Sequence, residues 1–183
     1  MTHFEFISVA VSIVLALSLA RLLSAVPHLL APGRRYWVPC LWAASLLAMH
    51  LGFWWAMWAY REVAAWTFRG FAAAMLSPIL LYLTVTILVS DSPGTVESWR
   101  ERFYSRRRVF FPLFLVMLLS APLRQFAVLG SAELPPEVGA APYFFGPPLL
   151  LVGAIGSFTD KERIHQVLVV IAAALVLVSY ATR

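Results

Sequence analysis

Apolar residues fill this chain in long, nearly unbroken runs, without the ten-residue alternating segments of a β-barrel. Six runs stand out: about Phe4–Val26, Trp37–Tyr60, Trp66–Val89, Val109–Leu129, Tyr143–Phe158 and Ile164–Tyr180. A helix of about 20 residues crosses the roughly 30 Å hydrocarbon core of a bilayer. A backbone facing lipid must satisfy its own hydrogen bonds, which makes helices the default. The pattern predicts an all-α polytopic membrane helix bundle of about six transmembrane helices, one domain over residues 1–183. Pro27 marks the expected end of the first span.

The fifth run, "YFFGPPLLLVGAIGSF", is the short one. Proline suits the first turn of a helix, where its missing N–H is not needed. A helix starting at Pro147 would be about 18 Å long at 1.5 Å per residue, too short to cross. The span is therefore expected to be broken at its prolines, as a kinked crossing or, alternatively, a re-entrant segment.

One sizeable polar segment, residues 91–108, separates the third and fourth spans. Val96, Trp99 and Phe103 recur in it at helical spacing among charges, as in an interfacial amphipathic helix. Arg100, Arg102, Arg106, Arg107 and Arg108 make it a candidate for anionic lipid head groups or a protein partner. The plainer reading is a topological anchor packed at the interface.

Composition supports the membrane assignment. The 183 residues are 61% hydrophobic and only 13% charged, against about a quarter charged in soluble domains. Cys40, the one cysteine, excludes an intramolecular disulfide and a multi-cysteine metal site. The net charge of +5 would ordinarily raise nucleic acid as a partner. Here the charge lies between apolar spans, where topology explains it better.

Arg34, Arg35, Arg100, Arg102, Arg106, Arg107, Arg108, Lys161 and Arg163 fall on one side of the six spans, and only Arg61, Arg69 and Arg183 on the other. The positive side is expected to be cytoplasmic, with both termini outside. Thirteen arginines against one lysine suggest a GC-rich bacterial genome, hence an inner membrane with periplasmic termini. The first run has no basic n-region ahead of it and is too long for a cleavable signal peptide. "GFWWAMWAYREVAAWTF", around the outer turn, reads as a headgroup-level aromatic belt.

Small residues recur every fourth position in two spans: Ser12, Ala16, Ala20 and Ser24, then Ala44, Ala48, Gly52 and Ala56. Such stripes let backbones approach closely, so spans one and two are expected to form a tight antiparallel pair.

The candidates for chemistry are three intramembrane polar residues, Arg21, His50 and Arg124. Charges within a bilayer are costly and face a cavity or a partner. Every acid in the chain maps to a span end or a loop, so neither arginine has an obvious carboxylate at its own depth. Arg21 lies about 7–8 Å from the expected end of its helix, close enough to snorkel to the interface. Arg124 lies a similar distance from the outer end of span four. His50, near the middle of span two, is a proton carrier or ligand or a hydrogen-bonded structural histidine. No metal site and no cofactor is indicated. His28 and His165 match in depth but have no third ligand. No hydrolase, metalloprotease or phosphate-loop motif occurs.

The stretches "FEFISVAVSIVLALSLARLLS", "FWWAMWAYR…WTFRGF", "SPILLYL" and "FYSRRRVFF" resemble a widespread kind of small multi-pass bacterial inner-membrane protein of unassigned function. The resemblance covers about the first two-thirds of the chain and implies fold and location alone. The first functional reading is a transporter or channel for a small, anionic solute. Its site would lie between spans one, two, four and five, with Arg21, Arg124 and His50 in it. The alternative is a non-transporting accessory or sensory subunit acting through the basic loop, as a homo-oligomer or with a partner membrane protein. An intramembrane enzyme ranks last.

The orientation is directly testable. A reporter active only outside the cytoplasm should be silent when fused after Arg106 and active when fused after Glu62. The reverse pattern would invert the topology.

Overall fold

The computed structural model describes residues 2–33, 35–63, 65–130 and 141–181. Arg34, Glu133, Glu137 and Arg183 lie outside them. The described residues form six α-helices: α1 (His3–Leu29), α2 (Trp37–Met57), α3 (Phe68–Leu88), α4 (Trp99–Leu129), α5 (Ala141–Phe158) and α6 (Glu162–Ala181), with 3-10 turns at Trp58–Tyr60 and Pro93–Thr95. Five helices are long and apolar enough to cross a membrane, and α5 is the shorter sixth. The fold is an all-α polytopic bundle of the multi-pass membrane type.

Local chemistry sets the helix starts. Thr2 and Glu5 form a reciprocal capping box on α1, with Glu5 N–H donating to Thr2 Oγ1 at 3.2 Å and Thr2 N–H to Glu5 Oε2 at 2.8 Å. Thr67 caps α3 through the Gly70 N–H, and Ser98 caps α4 through the Glu101 N–H. Gly130, at φ 63°, ends α4 in a conformation that disfavours larger side chains.

Three boundaries differ from the sequence expectation. α1 continues through Pro27 to Leu29; a proline near the end of a helix interrupts only one backbone bond. The amphipathic segment is not a separate interfacial helix, because Trp99–Leu129 is one helix of 31 residues. α5 starts six residues before Pro147 and runs through both prolines. Its 18 residues give about 27 Å at 1.5 Å per residue. Its ends decide between crossing and re-entry. Phe145 and Gly146 line the same cavity as Arg124 and Gln125, whereas Thr159 and Asp160, just past its other end, meet Arg107. α5 therefore traverses the bundle from one end to the other.

The helices neighbour one another in a closed ring, α1–α3–α4–α5–α6–α2 and back to α1. α1 packs more extensively on α3 than on α2, so the expected tight pair of spans one and two is not the main contact. The buried face of α1 is Ile7, Val11, Leu15, Ser18, Leu22, Ala25 and Leu29, a stripe at spacings of three and four. Ala16, Ala20 and Ser24 of the small-residue stripe are exposed instead. In α2 the stripe serves a different partner: Gly52 lies directly under the Tyr180 ring of α6.

Across the middle of the ring, the Trp42 ring of α2 meets three phenylalanines of α4 nearly edge-on. Phe110 is 5.1 Å away at 71°, Phe111 5.7 Å at 78° and Phe114 5.2 Å at 72°. Edge-to-face pairs of this kind contribute beyond their buried area. α5 closes on the same layer through Gly153, against Leu115 and Phe114, and Gly156, against Phe111.

This layer cannot yield locally. A Cβ at Gly156 would overlap the ring of Phe111, which is fully buried and stacked on His165. Gly156→Val is expected to cost about 1–3 kcal/mol by overpacking, read as a loss of thermal stability in detergent. Gly52→Ala should cost less, since the outer atoms of Tyr180, at the end of α6, can swing aside.

Candidate functional site

The arginine-rich end is largely tied to itself. Arg100 makes a bidentate pair with Glu162, Nε to Oε1 at 3.1 Å and Nη2 to Oε2 at 2.6 Å. Arg107 pairs with Asp160 and donates to the carbonyls of Tyr104 (2.6 Å) and Thr159 (3.3 Å). Arg102 donates to the Val89 carbonyl at 2.9 Å. Trp99 Nε1–H donates to the His28 carbonyl at 2.8 Å. The Tyr36 phenol is pushed well above its ordinary pKa, first by burial and then by hydrogen bonds to Tyr104 and Glu162. Of the five arginines read as a binding segment, three clamp helix ends together, and Arg106 and Arg108 are exposed. His165 is fully buried against Phe103, Tyr104 and Phe111, with Nε2 donating to the Thr159 carbonyl at 3.0 Å.

Arg21 belongs to this same end. Its Nη1 donates to the Tyr82 hydroxyl at 2.8 Å, and its Nη2 pairs with Asp91, just beyond α3. Its carboxylate lies not at its own depth but at the rim, beyond the end of α3. Asp91 looks remote by helix register, but an extended arginine bridges that distance along the bundle wall.

His50 is fully engaged inside the protein. Its Nδ1 lies 2.7 Å from the Leu46 carbonyl and its Nε2 2.7 Å from Ser18 Oγ. A carbonyl only accepts, so Nδ1 carries the proton; Nε2 of the neutral ring then accepts from the Ser18 hydroxyl. Both ring nitrogens are satisfied. His50 acts as a tie between α1 and α2.

Arg124 is different. It is 7% exposed and five residues from the end of α4. Its side chain does not snorkel outward. Nη1 donates to Ser77 Oγ at 3.0 Å, and Ser77 is hydrogen-bonded to Ser120, one turn deeper in α4 than Arg124, at 2.8 Å. Side chains tilt toward the N-terminus of their helix, and in α4 that direction points to the middle of the bundle. The guanidinium lies over the rings of Phe53, 4.6 Å to the centroid, and Tyr60, 5.7 Å. Its Nε, also buried, has no hydrogen-bond partner among the described residues, and no ion pair there involves Arg124.

This guanidinium faces a cavity of about 390 Å³ between α2, α3, α4, α5 and α6, within the usual range of small-molecule sites. Its floor is apolar, with Met49, Leu81, Met117 and Leu118. Tyr60, Gln125, Ser179 and Tyr180 lie toward the tryptophan-rich end. α1 supplies none of the lining. The expected site between spans one, two, four and five is thus replaced by one without span one, and Arg21, His50 and Arg124 do not converge. Sequence reading missed Ser77 and Ser120, two ordinary serines. The signal for them was the backward tilt of an arginine near the end of its helix.

No protein-family model, curated protein or solved structure matches this chain. The geometry alone carries the functional reading.

Two stability predictions separate the polar residues. Asp91→Asn is expected to cost at most about 1 kcal/mol, because the carboxylate is exposed and its pair is screened. His50→Phe, which strands the buried Ser18 hydroxyl, should cost about 1–3 kcal/mol. Thermal unfolding in detergent orders the two, and the opposite order would contradict these roles.

Proposed function

We propose that this protein is a transporter that takes up a small anionic solute at Arg124. One observation carries the reading: a permanently charged side chain is buried beside a cavity, with an unused donor and no carboxylate partner among the described residues. Arginine does not deprotonate in proteins, so the charge must be met by its surroundings. Ser77 and two aromatic rings meet part of it. An anion in the cavity would meet the rest.

The aromatic layer around Trp42 separates this cavity from the arginine-rich end, which favours a carrier alternating between states over an open channel. The charge bias supports placement in a bacterial inner membrane with the arginine-rich end cytoplasmic, against anionic head groups, and both termini periplasmic. A second reading, a non-transporting accessory subunit, rests on Arg106 and Arg108, which remain exposed beside the clamped arginines.

Anion flux in proteoliposomes tests the proposal. Arg124→Leu should reduce the flux of an accepted anion at least tenfold, while Arg21→Leu should leave it within about twofold. Equal flux in wild type and Arg124→Leu, across halides, phosphate and carboxylates, would sink it.

A further inference from the structure

The cavity's charge and lining specify more than anionic character. Among its described lining residues Arg124 is the one charged side chain. A monoanion there leaves a neutral pair, whereas a dianion would leave a net charge in a low-dielectric site at a steep desolvation penalty. The floor offers Met49, Leu81, Met117 and Leu118, which gain nothing from a hydrated ion and favour an apolar body. The rings of Phe53 and Tyr60 cover the flat face of the guanidinium. That arrangement leaves the edge, where Nε is buried and without a partner among the described residues. A planar carboxylate accepts two parallel hydrogen bonds from such an edge. The cavity of about 390 Å³ equals the liquid volume of about a dozen waters, enough for a short hydrocarbon body.

We propose that the ligand of this site is an apolar monocarboxylate, its carboxylate on the edge of Arg124 and its hydrocarbon body on the Met49–Leu81–Met117–Leu118 floor. The assignment rests on the anion-site reading above and narrows it to one chemical class. The same site favours a carboxylate over a phosphodiester, whose tetrahedral centre carries two chains and presents a bulkier head beside the Phe53 ring.

Calorimetry on the full chain in nanodiscs, with four probes, separates the possibilities. Hexanoate should bind, and hexanamide, its uncharged counterpart, should bind at least tenfold more weakly. Inorganic phosphate should give no saturable heat, and dibutyl phosphate should bind at least tenfold more weakly than hexanoate. These comparisons use wild-type protein and do not depend on any variant folding. Arg124→Gln should lower hexanoate affinity at least tenfold, and Leu118→Trp, which fills the floor, should do the same with the charge intact. Phosphate binding that needs Arg124, without hexanoate binding, would overturn the apolar class and keep the anion site. Dibutyl phosphate matching hexanoate would overturn the carboxylate. Equal binding of hexanoate and hexanamide, unaffected by Arg124→Gln, would overturn both readings.

Discussion

Trp42, set edge-on against Phe110, Phe111 and Phe114, spans the bundle where six helices would otherwise enclose a lumen. A closed ring of helices leaves a gap at its centre unless large side chains fill it, and interiors are packed to crystal-like density. Here one indole and three phenyl rings occupy the middle. The glycines of α5 are the consequence: Gly153 and Gly156 let that helix approach the far side of the phenylalanines. With the layer in place, the molecule has two unlike ends. One is held by charge, and the other holds the cavity lined by Arg124.

The two ends handle arginine in opposite ways. At the first, Arg100, Arg102 and Arg107 find carboxylates and free carbonyls at helix termini and loops, groups that need donors anyway. Each pairing joins α4 to the end of another helix, so the long α4 becomes a post to which α3, α5 and α6 are fastened. At the second, Arg124 is turned inward, away from the interface, into a place where its charge is only partly compensated. A side chain stays buried and under-satisfied when the surrounding packing leaves it no other conformation, and such places concentrate at functional sites.

Much of the architecture was legible from the chain. Five of the six apolar runs fell within a few residues of their helices, because a bilayer fixes span length so narrowly, whereas α4 begins ten residues ahead of its run, at Trp99. Neighbours were not legible. The stripe of Ala16, Ala20 and Ser24 has the same spacing whether it faces a helix or lipid, and it faces outward. Gly52 marks a close approach, but spacing does not say that the approaching helix is α6. The prolines of α5 suggested a break because a lone helix avoids them; packing between α4 and α6 holds the helix through them. Arg124 was visible as a candidate, but Ser77 was not, since a serine one helix away leaves no trace in spacing.

Arg21 and Arg124 show how far depth alone can mislead. Each lies near the C-terminal end of its helix, and each looked equally able to snorkel. What separates them is the neighbour at the rim. Asp91 stands just beyond α3 within reach of Arg21, so that arginine is paired and its chemistry is spent on the fold. Around Arg124 the described neighbours are Phe53, Tyr60 and Ser77, which hold a cation without neutralising it. Among the described residues, Arg124 therefore keeps a part of its charge uncompensated beside an apolar floor, whereas Arg21 is paired at the rim.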